Sequence, residues 1–394
     1  MNAAYPLVGL AQHYAWGGRH FIPELMRLDN GGDSRFAEWW LGAHEEAPSI
    51  VMTPLGPQPL NYAIAHDPDA YLGADCRRRH GERLPFLLKV LDVSEPLSIQ
   101  VHPDAAMARA GFARENAAGI ELHASARNYR DPFPKPEMMV ALSPFWLLHG
   151  FREPAAIAAG LGAHPELAGL VARLAEAGLE AFYRHLMTLP EGEVAALLAP
   201  LIRRLQRERP APGSADGWVA RVGDAQRPDR GLFGFYLFNL LRLEPGEAIH
   251  QPARLPHAYL EGRNVELMAN SDNVLRAGLT RKHVDIEALL EVVDCRPVRP
   301  RVIAATGDDP RLANFALPDE TWFAMDRIAL AAGSALPLEA RGPEMILVVD
   351  GGLTLSTVAS TLQLGQGQSA YLQPGTAYRL WAGQGGRAYR ARCP

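Results

Sequence analysis

Proline and glycine interrupt this chain so often that few apolar runs grow long. Of 394 residues, 32 are Pro and 36 are Gly. From residue 1 to about 150 they combine with Asn and Asp to cut the apolar residues into short pieces, among them 86–93, 97–101 and 138–142. Short apolar runs bounded by turn formers read as strands, and a sheet-rich architecture follows.

Between about 153 and 208 the texture changes to Ala, Leu, Glu and Arg, with Leu167, Leu170, Val171 and Leu174 at helical spacing and Pro154 suited to a first turn. A helical insertion is expected there, followed by a loop over 210–230 and strand-like sequence at 231–243. A short helix is expected at 285–293, with Asp285 as its N-terminal carboxylate and Pro297 and Pro300 as punctuation. Roughly the last 70 residues contain apolar runs at 345–349, 353–356 and 368–372, separated by Asp350-Gly351-Gly352 and Pro374-Gly375, a hairpin and turn vocabulary. The stretches from Pro245-Gly246-Glu247 to Pro256-His257 and from Gly367 to Pro374-Gly375 read as two copies of a jelly-roll corner, of which only the first carries histidine. The expected fold is therefore mainly β, with two jelly-roll domains and an α-helical subdomain. One jelly roll takes 1–150 together with 231–300, the helical insertion takes 151–230, and the second jelly roll takes 301–394.

At 394 residues the chain is long enough for two or three packed domains. A net charge of −5 argues against nucleic acid or an anionic membrane as the main partner. No stretch approaches 18 uninterrupted apolar residues, and Met1 to Pro6 lacks the basic start and apolar run of a secretory leader. Cys76, Cys295 and Cys393 are widely spaced and odd in number, which disfavours a disulfide framework and makes cytoplasmic residence the expectation.

Three places offer metal-ligating groups. Gln100 and His102, two apart in an apparent strand, point to one face while Ile99 and Val101 point to the other. Glu137 sits in Lys135-Pro136-Glu137-Met138, between prolines and a buried-looking strand, where a carboxylate needs a metal or an ion pair such as Lys135. His257 starts a strand after a tight turn. Two imidazoles, one carboxylate and one amide oxygen suffice for a zinc site with room for water or substrate, although such donors also admit manganese, iron or cobalt. Arg276, Arg281 and Lys282, in the polar run 266–283, suit a phosphate or a solvated loop.

These segments resemble the type I phosphomannose isomerases, a cupin family, essentially end to end. The blocks that carry the likeness are Tyr14-Ala15-Trp16-Gly17-Gly18, Glu38-Trp39-Trp40-Leu41-Gly42-Ala43-His44, Pro85-Phe86-Leu87-Leu88-Lys89, Leu97-Ser98-Ile99-Gln100-Val101-His102-Pro103-Asp104, Lys135-Pro136-Glu137-Met138, Pro256-His257-Ala258-Tyr259-Leu260 and the run from Met268 to Thr280. The resemblance implies one zinc per chain on Gln100, His102, Glu137 and His257. It implies Arg276 as the essential arginine, Lys135, Glu266 and Asp272 as further catalytic groups, and Trp16, Lys89, Ser98, Tyr259 and Lys282 as substrate-binding residues. It also implies a phosphosugar substrate isomerised through a cis-enediol, with Lys135, Glu266 or Asp272 carrying the proton. A monomer without nucleic-acid or membrane partners is expected. Two departures stand out: Pro134 replaces the histidine usual before Lys-Pro-Glu, leaving solvent or His250 to substitute, and Arg281 replaces the usual proline. A cupin that binds metal and sugar phosphate without turnover is the alternative, which Pro134 encourages.

Overall fold

The computed structural model describes residues 3–394, so Met1 and Asn2 of the opening segment lie outside the described residues. Antiparallel strands form two large sheets, each curled into a jelly roll, with helices inserted against one of them.

The site-bearing sheet is organised around the long strand His257–Ala269. Its second half lies between Phe86–Val93 and Glu137–Ala141, with Glu266 opposite both Lys89 and Met139. Its first half pairs instead with Phe145–Phe151 and Gln100–Val101, placing His257 opposite His149 and Gln100. The strand changes partners at a register shift between Tyr259 and Glu261, next to Gly262 at φ +135°. A Cβ at Gly262 would come within 2.5 Å of the Phe145 ring, so glycine lets the strand turn this corner. The bend folds the two halves of one strand over a common interior, so His257 at one end and Glu266 near the other serve the same cleft.

Strand alternation then sorts the residues. All eight residues of Phe86–Val93 are buried. Leu88 and Val90 face outward into a core shared with Met345, Leu347 and Tyr371 of the C-terminal jelly roll, while Leu91 and Val93 line the interior with Met139, Leu147 and Tyr259. This two-sided burial explains why the run is apolar but for Lys89 and Asp92, and why Lys89, on the inward face, needs partners.

The helical insertion comprises Pro154–Gly162, Gly169–Thr188, Glu191–Glu208 and Ala215–Val222. Its apolar faces pack with Ile99, Val101, Leu148, Phe151 and Leu260 on the outer surface of the site-bearing sheet. The last of these helices falls inside the expected loop. Ser214 caps it by accepting from the Gly217 N–H, a start signal hidden among Gly and Pro. The expected strand at 231–243 is also shorter: Arg230–Phe233 and Gly234–Leu237 are helical turns, and only Phe238–Leu243 is extended. The helix at Ile286–Val292 is capped by Asp285 as the sequence indicates.

Two further differences concern strands. Of 97–101 only Gln100–Val101 is a strand, because the Leu97 and Ile99 N–H groups go to Tyr259 and Gly278 carbonyls across loops. In the C-terminal part, Glu344–Thr357 runs through Asp350-Gly351-Gly352 as one strand with a bulge, since partner strands hold it on both sides of that point. The N-terminal segment serves both sheets: Ala4–Val8 pairs with Ser369–Leu372 and with Ile50–Thr53, whereas Glu38–Gly42 pairs with Phe86–Val93. We propose that the three-part division 1–150 with 231–300, 151–230 and 301–394 describes the cores, with these N-terminal strands bridging the first and the last.

Candidate active site

His102, Glu137 and His257 converge in the interior of the site-bearing jelly roll, with one potential ligand atom from each within 4.8 Å of the others. All three are buried. Glu137 Oε1 lies 3.3 Å from His102 Nε2, and Glu137 Oε2 lies 3.2 Å from His257 Nε2. Each ring directs its other nitrogen at a backbone carbonyl: His102 Nδ1 to Asn273 O at 2.7 Å and His257 Nδ1 to Leu255 O at 3.0 Å. A carbonyl only accepts, so in each ring Nδ1 carries the proton, and in the neutral form Nε2 presents a lone pair. Burial pushes His102 down to about 4 against the pull of Glu137, so this ring is neutral near pH 7. Its Nε2 lies buried without a hydrogen-bond partner. A lone pair of the neutral His102 ring facing a carboxylate oxygen 3.3 Å away is repelled unless a cation lies between them, so the donor set of two imidazoles and a carboxylate fits a divalent metal. Gln100, opposite His257 in register, lines the same cleft and can add an amide oxygen.

That cleft, of about 80 Å³, is also lined by Glu38, Lys89, Ser98, Lys135, Tyr259 and Glu266. Lys135 Nζ is 3.3 Å from Glu137 Oε1, so the ion pair expected as one option from the sequence exists beside the metal-ligating arrangement. Lys89 Nζ is 3.3 Å from Glu38 Oε2 and 3.7 Å from Glu266 Oε2, and it lies 4.7 Å from the centre of the Trp40 ring. Burial alone would drive Lys89 toward neutrality, but Glu38 and then Glu266 outweigh it and hold it charged. Glu266 moves the other way: burial and Glu137 raise it to about 7 against Lys89, while Tyr259 donates to its Oε1 at 2.8 Å. Three carboxylates and two ammonium groups thus line one small cleft. A divalent cation would turn their net negative charge into a positive one suited to an anionic ligand.

The remaining sequence-predicted residues divide. Ser98 accepts weakly from Gln100 Nε2 at 3.4 Å. Trp16 packs at the edge of the apolar interior and stacks with Tyr14 at 5.9 Å. Arg276 pairs in register with Gln100. Burial and then Arg130 lower its pKa, and burial followed by Arg276 and Arg130 does the same for Lys282, so the three cations lie within electrostatic reach of one another. Asp272 borders a second cleft of about 700 Å³, with His44 Nε2 3.0 Å from its Oδ2, and lies within electrostatic reach of Lys135 and Lys89 in the first. Burial acts to raise Asp272, but His44 and the neighbouring lysines hold it well below the usual carboxylate range. His250 does not replace the histidine missing at Pro134. Its Nε2 is directed to Glu320 Oε2 at 3.4 Å, and strand alternation turns it to the face opposite Gln251, the register partner of Glu137. Arg281 is exposed on the rim of a third cleft, with Arg227, Asp229 and Thr280.

Sequence reasoning missed Glu38, Arg130 and Gln251. Glu38 had a visible signal, a carboxylate entering the buried strand Glu38–Gly42. Gln251 is fully buried with neither side-chain polar atom partnered, a property that pattern alone does not reveal.

The pattern of the phosphomannose isomerase type I catalytic domain matches residues 5–154. The mannose-6-phosphate isomerases of Shigella flexneri and Escherichia coli (strain K12) are each 36% identical over 374 residues, covering 93% of this chain and 94% of theirs. The Homo sapiens mannose-6-phosphate isomerase is 33% identical over 347 residues, covering 80% and 79%. Among solved structures, Salmonella typhimurium mannose 6-phosphate isomerase bound to its substrate fructose 6-phosphate and zinc superposes with a TM-score of 0.87 at 33% identity, with 99% of each chain covered. A zinc-bound mannose 6-phosphate isomerase gives the same values. With its cupin architecture, buried two-histidine, one-carboxylate cluster and near full-length similarity, this chain belongs to the type I phosphomannose isomerases.

Proposed function

We infer that this chain is a zinc-dependent isomerase that interconverts mannose 6-phosphate and fructose 6-phosphate. The observation that carries the reading is the buried His102–Glu137–His257 cluster, whose His102 Nε2 lacks any partner but a facing carboxylate, inside a cleft flanked by Lys89, Lys135 and Glu266. Gln100, His102, Glu137 and His257 would hold the zinc, which when bound supplies Lewis acidity that stabilises negative charge on the sugar oxygens.

The chain's own residues account for the rest of the reaction. Isomerisation removes a proton from C2 of the open-chain aldose and delivers one to C1 through the cis-enediol, so a group able to hold and release a proton near neutral pH must border those carbons. Of the three candidates, Lys135 and Glu266 line the cleft, whereas Asp272 is engaged by His44 outside it. Glu266 lines the cleft beside Lys89 with its carboxylate oriented by Tyr259, and we assign the transfer to it, with Lys135 balancing charge beside Glu137. Lys89 adds fixed positive charge where enediolate charge develops. Arg276 and Lys282 take the phosphate, and Trp16, Ser98 and Tyr259 shape the cleft.

A cytoplasmic monomer with no nucleic-acid or membrane partner completes the proposal. Among the described residues no helix is long and apolar enough to cross a membrane. The test is a coupled assay for fructose 6-phosphate formed from mannose 6-phosphate, on chelator-stripped protein before and after zinc. Zinc-restored turnover is expected; folded, zinc-loaded protein with no turnover would overturn the assignment.

A further inference from the structure

The helical insertion places no side chain among the groups lining the metal-binding cleft, yet it is tied to the loop that follows Arg276. We propose that Asp229 is a positioning residue that clamps loop 276–282 to the insertion and thereby sets the affinity for the sugar's phosphate. The identity of that anion rests on the isomerase reading; the clamp rests on geometry.

Asp229 immediately precedes the helical turn Arg230–Phe233. Its Oδ1 accepts from the Gly231 N–H at 2.6 Å and the Leu279 N–H at 2.8 Å, and its Oδ2 accepts from the Thr280 N–H at 3.2 Å. Two of the three donors lie between Arg276 and Lys282, and bonds from N–H groups to a carboxylate are stronger than those to a neutral acceptor. The loop needs such an acceptor. Gly278 and Leu279 both have positive φ, +123° and +54°, an uncommon state for leucine that persists only where surroundings impose it. The approach is close: a Cβ on Gly278 would lie 2.5 Å from Gly231 Cα, and one on Gly231 would lie 2.5 Å from Leu279 N. Glycine at both positions lets the backbones meet.

The clamp connects outward on both sides. Arg230 anchors the turn to the insertion through the Met187 carbonyl and Glu191. On the other side the Ala277 N–H donates to Ile99 O at 2.9 Å and the Ile99 N–H to Gly278 O at 3.0 Å, beside the pairing of Arg276 with Gln100. The Lys282 N–H in turn donates to Thr280 Oγ1 at 3.1 Å. Arg276 and Lys282 repel each other until an anion lies between them, so the backbone must hold them in place beforehand.

Asp229→Asn keeps the shape but replaces one acceptor oxygen with an amino group that cannot accept. The expected result is that KM for mannose 6-phosphate and the inhibition constant of inorganic phosphate rise together by about 10-fold, as for one lost charge-assisted hydrogen bond. In the same variant kcat and zinc content stay near wild type, and trypsin cuts faster after Arg281 and Lys282. Unchanged KM and phosphate inhibition in a folded variant, or a fall in kcat that tracks zinc loss, would overturn the proposal. A second measurement needs no variant: amide hydrogen exchange in the wild-type protein should find the Leu279 and Thr280 N–H groups protected before any phosphate is added. Free exchange at both would refute the clamp whatever the activity, whereas absence of turnover alongside protected amides would count against the isomerase reading and not the clamp.

Discussion

In the C-terminal jelly roll, Arg390 meets Asp326 Oδ2 at 2.6 Å and Glu344 Oε2 at 3.5 Å, while Tyr378 donates to Glu344 at 2.8 Å and Asn314 to Asp326 at 2.8 Å. In the site-bearing jelly roll, Glu38, Glu137 and Glu266 face Lys89 and Lys135, with His102 Nε2 and both polar atoms of Gln251 left unpartnered. Both groups are buried. None of Asp326, Glu344 and Arg390 leaves a buried side-chain nitrogen or oxygen without a partner. A closed network of that kind holds its own jelly roll together and offers nothing to a ligand, whereas an open one has valence left for a metal and a substrate.

The largest effect expected from testing this contrast is on the open side. His102→Ala removes a ligand nothing nearby replaces, so zinc content should fall to near zero by elemental analysis and turnover by roughly 1,000-fold or more. Retained zinc and activity would mean the metal is held elsewhere. On the closed side, Arg390→Ala takes from Glu344 its ion-pair partner and leaves Asp326 with Arg392 alone, and urea unfolding should register a loss of about 3–5 kcal/mol, with turnover per folded molecule unchanged. A large loss of turnover with stability intact would erase the distinction between the two jelly rolls. Arg276→Ala should lower kcat/KM for mannose 6-phosphate by about 100- to 1,000-fold with zinc still bound, as when one of the two cations that hold the phosphate is lost. Loss of the metal along with activity would contradict that role.

A smaller effect should appear in the pH dependence of stability. In the folded, metal-free chain Glu266 is raised to about 7 from the ordinary glutamate value of 4.5, so the folded state holds the proton more tightly than the unfolded one. Its contribution to stability is complete below the unfolded pKa and is lost as pH rises through the folded pKa. Measured on zinc-free protein at about pH 5 and about pH 7.5, the stability difference between wild type and Glu266→Gln should change by about 1–3 kcal/mol, the variant gaining as pH rises. Parallel curves would place Glu266 in a more polar setting than its burial indicates.

Much of the site is legible in the order of residues along the chain. Gln100, His102, Glu137 and His257 stand next to strand ends and turns, where a polar residue is conspicuous against its apolar neighbours, and the structure brings His102, Glu137 and His257 together. The run at 86–93, apolar but for Lys89 and Asp92, reads as a strand, whereas its burial on both faces and the pairing of Lys89 with Glu38 emerge only in the fold. Less legible is anything set by partners far along the chain. The helix Ala215–Val222 is masked by surrounding Gly and Pro, and the long strand Glu344–Thr357 ignores turn-forming residues because neighbouring strands pair on both sides of them. His250 and Gln251 are adjacent in sequence, yet only the sheet decides that one faces Glu320 and the other Glu137's side of the barrel.

By itself, then, the sequence determined the period of each segment, the places where turns can form, and the kinds of donor available for a metal and a phosphate, since these depend on residues a few positions apart. Only the tertiary structure decided that Glu38 and Glu266 share Lys89, that Asp272 turns to His44 across 228 positions, and that Asp229 closes on the loop after Arg276. Those outcomes depend on strand register and on the corner at Gly262, where backbone hydrogen bonding between distant segments, rather than any local preference, selects which side chains meet.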